Sequence, residues 1–199
     1  MALMDWLLLA TGFTGAYTVL FLARLAYHQF RAPASVAAHF SPKGGCTDAV
    51  LAELKHARRE ILVLAYSFTS KPIAQALVEA KLRGVHVEII LDKSNEKEAY
   101  TDLQFFIEQG LAPLIDPEHA IAHNKVMLID NSTLVTGSFN FTYQAETENA
   151  ENLLILKGHP DLINAYRRDF QTHKSHTRAP EIKTATVSHT THAATKAAA

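Results

Sequence analysis

The order of apolar and polar residues predicts strands alternating with helices along the middle of the chain. Short apolar runs predict strands over residues 61–68, 85–91, 111–115, 126–129, 134–137 and 152–157. Helical spacing of apolar residues predicts helices that begin at Thr47 and Ser70 and others over residues 101–109, 142–150 and 160–171. Because strands and helices alternate before a hairpin, the pattern predicts an α/β sandwich with a mixed sheet.

The N-terminal segment has a different pattern. Residues 6–23 carry no charge, and continuing past Arg24, whose head can reach the interface, to Tyr27 gives the roughly 20 residues that span a bilayer. We expect residues 1–27 to form one membrane helix that comes before the α/β domain. Arg24 and Arg31 follow the apolar run, so the positive-inside rule predicts a single-pass protein with its α/β domain in the cytosol.

A cleaved signal peptide is the alternative to this anchor. Small residues over 32–37 offer a processing site, and cleavage would make the protein periplasmic or secreted. No Lys or Arg comes before the apolar run, and the run is longer than the roughly 7 to 15 residues usual in signal peptides. Both features favour the anchor.

Composition divides the rest of the chain into three parts. Residues 28–45 repeat Pro and Gly and are predicted to be a linker, and residues 46–172 are predicted to form the α/β domain. Residues 173–199 are rich in Thr, Ala and His without a periodic apolar face, which predicts disorder. This composition favours a solvated tail over a weak metal site at its histidines, which include His173, His176, His189 and His192.

Charge and cysteine content limit the classes of function. The 199 residues include one cysteine, which excludes an internal disulfide and a cysteine-rich metal site. Residues 39–172 carry 13 Lys and Arg against 18 Asp and Glu, a net charge of −5, which argues against a broad basic face for nucleic acid. We expect no cofactor, and no cluster of metal ligands in the domain.

The candidate chemistry lies in the predicted hairpin. His123 and Lys125 share a strand face, and a hairpin centred between Asn131 and Ser132 sets Lys125 opposite Ser138 and His123 opposite Asn140. Lys125, Ser138 and Asn140 could then donate hydrogen bonds to a phosphate, while His123 attacks phosphorus. A loop of odd length or a bulge would break this register. Any two of these residues alone would favour an ordinary hairpin with polar ends.

The whole pattern, H-x-K-x(4)-D-x(6)-G-S-x-N, resembles the signature of the phospholipase D superfamily. The residues over 138–142 and 148–152 resemble its single-motif branch, the Nuc-type endonucleases and the mitochondrial cardiolipin hydrolase/Zucchini group. The resemblance covers about residues 39–170 and implies that Asp130 belongs to the catalytic motif. It also implies that Glu151 accepts a hydrogen bond from the second nitrogen of His123. The strand parity of Asp130 is opposite to that of His123, so we expect it to support the hairpin.

The motif occurs once, and one imidazole cannot act on both sides of a phosphorus atom. We therefore expect a homodimer with a shared active site and a phosphohistidine intermediate, as the resemblance implies, without a metal. A membrane-tethered endonuclease is the favoured function. A phospholipase D acting on phosphatidyl lipids such as cardiolipin is the alternative, and a non-catalytic phosphodiester-binding scaffold is the third possibility.

Overall fold

The computed structural model describes residues 17–22, 33–97 and 101–181. Its strands are β1 (Ser35–Ser41), β2 (Glu60–Ala65), β3 (His86–Asp92), β4 (Leu114–Asp116), β5 (Lys125–Ile129), β6 (Thr133–Gly137) and β7 (Glu151–Lys157). Its named helices are α1 (Cys46–His56), α2 (Lys71–Leu82), α3 (Leu103–Glu108), α4 (Tyr143–Thr147) and α5 (Pro160–Lys174). A 3-10 turn, Lys93–Glu96, follows β3.

The strands of the described residues form one mixed sheet in the order β1-β7-β6-β5-β2-β3-β4. Strands β2, β3 and β4 are parallel, and α2 and α3 form the crossovers between them. Strands β5, β6, β7 and β1 extend the other half of the sheet in antiparallel fashion. The predicted mixed-sheet α/β sandwich is confirmed.

Helices cover both faces of the central strands, which explains the continuous apolar runs in the sequence. In β2, Ile61 and Val63 belong to a core cluster shared with α1, α2 and α3. Leu62 and Leu64 belong to a second cluster, on the other face, which includes Phe170 of α5. Alternate residues of one strand therefore fill two different cores.

Strand β1 lies in the segment that the sequence predicts to be a linker. It pairs antiparallel with β7 along its whole length, from Ser35 opposite Lys157 to Ser41 opposite Glu151. Most of its residues are exposed, because it is the edge strand of the sheet. The prediction of a linker is wrong for residues 35–41, since an exposed edge strand has no alternating apolar pattern and is held by its backbone pairing.

The C-terminal segment also differs from its prediction. Helix α5 continues to Lys174, and Arg178 then forms a two-way backbone bridge with Ile115, with N···O distances of 2.8 and 3.0 Å. The Arg178 guanidinium pairs with Glu96 at 2.6 Å. The prediction of disorder from His173 is therefore wrong for residues 173–181, because polar contacts to distant elements hold a segment that has no apolar face. Residues 182–199 lie outside the described residues.

The predicted membrane helix lies mostly outside the described residues. Of residues 1–27, only 17–22 are described, and these are helical. In the part of the chain that the structure describes, every helix is too short or too polar to cross a membrane.

Candidate active site

Most of the polar residues of the motif lie at one end of the central strands, which forms the catalytic edge of the sheet. Strands β2 and β6 end at this edge, while β5 and β7 begin there, because these neighbours are antiparallel in pairs. The edge therefore carries Tyr66 after β2, Lys125 at the start of β5, Ser138 after β6 and Glu151 at the start of β7. Residues up to 85 positions apart in sequence meet here.

The hairpin that carries the motif has a different register from the predicted one. Ile129 pairs with Thr133, so the loop between β5 and β6 contains three residues, 130–132. The predicted pairing of Lys125 with Ser138 assumed an even loop and is wrong by one residue. A loop of odd length moves every residue of β6 to the other parity relative to β5.

A bulge after β6 offsets this shift. The backbone N–H groups of Ser138 and Phe139 both donate to the carbonyl oxygen of Asn152, at 3.0 and 3.1 Å. Two successive donors on one acceptor mark a β-bulge, which inserts one residue into its strand. Beyond the bulge, the one-residue shift is cancelled. Asn140 therefore lies on the same face of the sheet as His123, as an even loop would have placed it.

Gly137 allows the backbone to approach Asn152 closely at this bulge. Its φ is 150°, and a Cβ at this position would lie 2.3 Å from the Asn152 carbonyl oxygen. A side chain here would push β6 away from β7 and displace Ser138. The glycine of the motif is thus explained by backbone geometry.

His123 is exposed at the edge and is held from two sides. Its ring packs against the ring of Tyr66, with the centroids 4.6 Å apart and tilted by 50°. The backbone before it is fixed because Ala122 N–H donates to the buried Asp92 carboxylate at 2.7 Å. The His123 ring is therefore exposed to solvent while its position is fixed by the Tyr66 ring and the backbone at Ala122.

Lys125 is 7% exposed, and its ammonium contacts the backbone of His123. Its Nζ donates to the His123 carbonyl oxygen at 2.9 Å and lies 5.2 Å from the centroid of the Tyr66 ring. Burial lowers the pKa of Lys125, and the negative charge of Glu151 opposes that shift. A buried ammonium with unused N–H groups suits the binding of an anion at this edge.

Ser138 and Asn140 offer two further polar groups. The Ser138 Oγ accepts a hydrogen bond from Asn152 N–H at 3.0 Å, which leaves its own O–H proton available. The Asn140 Oδ1 is buried and has no hydrogen-bond partner among the described residues. Both side chains keep hydrogen-bonding capacity that the described chain does not use.

Glu151 lies at the start of β7, opposite Ser41 of β1. Its Oε1 accepts a hydrogen bond from the Asn149 side chain at 3.1 Å. Burial raises the pKa of the Cys46 thiol to about 11, and the charges of Glu146 and Glu151 add to this shift. Cys46 is fully buried, so this thiol is unreactive near neutral pH.

Asp130 lies at the opposite end of β5, about 17 Å from Lys125 for five residues of extended strand. Its two carboxylate oxygens accept hydrogen bonds from three successive backbone N–H groups, those of Arg58, Arg59 and Glu60, at 2.8, 2.7 and 3.1 Å. Its φ is 53°, in the left-handed region that aspartate tolerates. The fold does not bring this member of the motif to the catalytic edge.

Three supporting residues belong to the site beyond those chosen from sequence. Tyr66 contacts His123, whereas Phe68, two residues further along the chain, is buried in the core. Asn95 is buried and donates to the Tyr66 carbonyl at 2.6 Å, and Asp92 holds Ala122. The position of Asp92 directly after an apolar strand was the available signal, because strand ends at a shared sheet edge collect polar groups.

A second polar cluster lies at the end of β4. Asp116, His119, His173 and His176 place one ligand atom each within 4.8 Å of one another. The expectation that the domain holds no cluster of metal-ligating residues is therefore wrong. His173 and His176 were assigned to a disordered tail, and the packing of α5 brings them to Asp116.

Comparisons with known proteins agree with this geometry. Residues 50–174 match the family model described as cardiolipin synthase, PLD-like domain. The chain is 36% identical over 141 residues to phospholipase D of Rickettsia typhi, which covers 71% of this chain and 69% of that protein. It is 33% identical over 117 residues to the mitochondrial cardiolipin hydrolase of Chlamydomonas reinhardtii, covering 59% of this chain and 52% of that protein.

A solved structure is similar over the same region. The phospholipase D family member Nuc from Salmonella typhimurium superposes with a TM-score of 0.71 at 35% identity, covering 74% of this chain and 98% of Nuc. The family match spans more than half of the chain and includes the whole catalytic edge. The chain therefore belongs to the phospholipase D superfamily, as a single-motif phosphodiesterase.

Proposed function

We propose that this phosphodiesterase acts through a phosphohistidine on His123, in an active site shared by two chains. The observation that carries the proposal is that the exposed His123 shares its position with the buried Lys125, whose ammonium donates to the His123 carbonyl oxygen and keeps unused N–H groups for an anion. A ring nitrogen of His123 attacks phosphorus while the bond to the leaving oxygen breaks. The leaving oxygen takes its proton from the partner's His123 on the far side of phosphorus.

In the hydrolysis of the intermediate, water attacks phosphorus from the side on which the leaving oxygen departed. The partner's His123, now neutral, takes a proton from water, and the oxygen of that water attacks the phosphohistidine. The P–N bond breaks, a phosphate monoester leaves, and both imidazoles return to their starting state. No metal ion takes part in these steps.

The other residues of the edge have separate roles. Lys125, Ser138 and Asn140 bind the non-bridging oxygens and stabilise the negative charge that develops on them. Glu151 selects the tautomer of His123 by accepting a hydrogen bond from its second nitrogen. Asp130 supports the hairpin from the far end of β5, so its role is structural and it does not contact the substrate.

Mixing subunits tests the shared site. Wild-type enzyme is mixed with excess His123→Ala chains under conditions of subunit exchange, and activity is measured against the wild-type fraction. Because each mixed dimer keeps one imidazole, activity should fall below simple dilution. Activity that follows the wild-type fraction linearly, together with light scattering that shows an active monomer, would exclude the shared site.

For the substrate, we favour the phosphodiester of a phospholipid. Three exposed apolar side chains border the catalytic edge: Phe40 (61% exposed), Ile121 (57%) and Tyr143 (70%). Ile121 comes two residues before His123, and Tyr143 three residues after Asn140. Exposed apolar groups around a phosphate site suit a lipid surface better than a nucleic-acid backbone, which calls for a basic face. The names of the relatives above, phospholipase D and cardiolipin hydrolase, support the same substrate class.

The membrane-tethered endonuclease, which the sequence alone favours, becomes the second candidate. The likeness to Nuc over 98% of that chain, together with the motif flanks, favours it. Both substrates present the same phosphodiester to the same groups, so the chemistry at His123 does not distinguish them. A non-catalytic scaffold is the third reading, and any turnover that depends on His123 would exclude it.

Parallel assays separate these candidates. The purified protein is assayed on cardiolipin or phosphatidylcholine vesicles and on single-stranded DNA and RNA. We expect turnover of vesicle lipid, reduced about tenfold when Ile121 and Tyr143 are both replaced by Ser. Leu82→Ser, at an exposed apolar position at the end of α2, is the matched control and should have no effect. Cleavage of nucleic acid alone, unchanged in the double variant, would instead support the endonuclease.

The membrane anchor over residues 1–27 stays a prediction, as does a cytosolic catalytic domain. Full-length chain should remain in the membrane fraction after carbonate extraction. A mature species that begins near Ser35 or Ala38 would show that the segment is a cleaved signal peptide, which would place the enzyme in the periplasm or outside the cell.

A further inference from the structure

The cluster at the end of β4 concentrates three histidines on one carboxylate oxygen. Asp116 Oδ2 lies 2.6 Å from His173 Nδ1, 3.0 Å from His119 Nδ1 and 3.3 Å from His176 Nε2. The Asp116 side chain is completely buried. The ligands form two pairs with the same spacing, Asp116 with His119 and His173 with His176, on elements that lie far apart in sequence.

This arrangement is incomplete as a hydrogen-bond network. The Nε2 atom of His176 is buried, points at Asp116 and makes no hydrogen bond within the described residues, although only 3.3 Å separates it from Oδ2. A buried polar nitrogen that lacks a hydrogen bond of good geometry is costly, and native structures rarely leave one. This nitrogen lies within 4.8 Å of the other three ligand atoms.

Two of the three histidines have, on their outer ring nitrogens, the partners that metal-binding histidines usually have. His176 Nδ1 lies 3.1 Å from Glu118 Oε2. The Nε2 atom of His173 lies 3.3 Å from the side-chain amide of Asn124 and 3.9 Å from Asp169 Oδ2. A carboxylate or amide on the second ring nitrogen orients the imidazole and leaves the first nitrogen free to bind an ion.

We propose that Asp116, His119, His173 and His176 bind one zinc-class divalent transition-metal ion. Three imidazole nitrogens and one carboxylate oxygen are a ligand set that suits Zn²⁺ in tetrahedral geometry. With bonds of about 2.0 to 2.1 Å, the ligand atoms of a tetrahedron lie roughly 3.3 to 3.4 Å apart. The separations from Asp116 Oδ2 are 2.6, 3.0 and 3.3 Å, so His176 already lies at the required spacing. The rings of His119 and His173 must move outward by roughly 0.3 to 0.8 Å to admit the ion.

The site is structural, since four protein ligands close the coordination sphere. It joins the end of β4 and the loop after it to the C-terminal end of α5. Asn124, which contacts His173, is the residue directly after His123. The ion would therefore fix the backbone next to His123 without taking part in the reaction. The proposal does not depend on the substrate assignment.

Metal titration of the untagged full-length chain tests the site. The protein is stripped with EDTA, exchanged into metal-free buffer and titrated with Zn²⁺ by calorimetry and with Co²⁺ by visible absorption. We expect one Zn²⁺ per chain and the intense visible bands of tetrahedral Co²⁺. Glu118→Gln, which changes an outer partner, should weaken Zn²⁺ binding about tenfold.

Ligand variants locate the binding. His119→Gln combined with His176→Gln should reduce Zn²⁺ affinity by about 100-fold or more and remove the Co²⁺ bands. His189→Ala combined with His192→Ala, which removes two other histidines of the chain, is the matched control and should bind as wild type does.

Circular dichroism of the metal-free variants shows whether they are folded, and the wild-type Co²⁺ spectrum tests the site even where a variant does not fold. No stoichiometric Zn²⁺ binding by wild type, Co²⁺ without tetrahedral bands, or Zn²⁺ binding lost only in the His189/His192 variant would each overturn the proposal.

Discussion

The two ends of β5 carry members of the same motif, and they use their polar groups in opposite ways. At one end, the carboxylate of Asp130 accepts three backbone N–H groups, and its own carbonyl accepts a bond from the Arg59 guanidinium at 3.0 Å. At the other end, Lys125 is buried with a lowered pKa, and Ser138 retains an unused O–H.

Under the proposed mechanism, this difference separates the motif residue that stabilises the fold from those that take part in the reaction. Where every polar group of a residue has a partner inside the fold, the residue stabilises the fold. Where burial costs free energy and hydrogen-bonding capacity stays unused, the compensation must come from a bound ligand. Substitutions at His123, Lys125, Glu151 and Asp130 test this separation, and their expected effects on turnover decrease in that order.

Replacing His123 by Asn should have the largest effect. The variant keeps the size of the ring approximately but has no nucleophilic nitrogen, so kcat should fall at least about 1,000-fold. An acid-labile phosphoenzyme should form in wild type and be absent from the variant, as measured by rapid acid quench. His86→Asn, at an exposed histidine bonded to Glu88, is the control and should keep full activity. A phosphoenzyme in His123→Asn would assign the nucleophile to another residue.

Replacing Lys125 by Met should separate activity from stability. Loss of the ammonium should lower kcat/KM about 100-fold or more, because the developing negative charge loses a donor. Burial lowers the pKa of Lys125, so the charged form opposes folding and its removal should leave the midpoint of urea unfolding unchanged or raise it. Lys157→Met, at a half-exposed lysine paired with Glu53, is the control and should not change activity. A Lys125→Met protein that is both active and destabilised would show that Lys125 stabilises the fold and does not act in the reaction.

Replacing Glu151 by Gln should slow turnover about tenfold and shift the pH profile. The Glu151 carboxylate raises the pKa of Lys125, so its loss lowers that pKa further. Lys125 then loses its proton at lower pH, and the alkaline limb of kcat/KM should move to lower pH. Glu148→Gln, at an exposed acid three residues earlier, should leave the limb in place. An unchanged alkaline limb in Glu151→Gln would mean that Glu151 does not act on Lys125.

Replacing Asp130 by Ala should have the smallest effect on turnover and a clear effect on stability. The variant loses three hydrogen bonds and places alanine at a φ of 53°, so the free energy of unfolding should fall by about 2 to 3 kcal/mol. The kcat of the folded enzyme should stay within about twofold of wild type. Urea unfolding and an assay well below the melting temperature measure the two quantities. Asp130→Asn, which keeps one acceptor oxygen and tolerates positive φ, should lose less stability, and a large loss of kcat in either variant would make Asp130 part of the chemistry.

Sequence periodicity predicts the central part of this fold well because its signals are local. The apolar runs of β2, β3 and β5 reflect burial on both faces, and this can be read without knowing the neighbouring strands. The motif also combines His123 and Lys125 on one strand face by spacing alone. The prediction failed at β1, whose exposed side chains carry no burial signal.

The register of the hairpin shows the limit of local reasoning. A loop of three residues and a bulge at Ser138 each shift the strand by one position. Neither shift has a strong sequence signal, because the loop length depends on two residues in the left-handed region and the bulge on the approach of β6 to β7. The predicted pairing of Lys125 with Ser138 was wrong for this reason.

The sequence by itself determined the α/β class, the order of the central elements and the identity of the motif, since each depends on residues a few positions apart. Tertiary structure alone decided which distant residues meet. Glu151 reaches the edge of Lys125 through the order of β5, β6 and β7, and His173 reaches Asp116, 57 positions away, through the packing of α5. The physical reason is that strand order and helix packing follow from the burial of the whole core, whereas spacing along the chain reports only the local backbone.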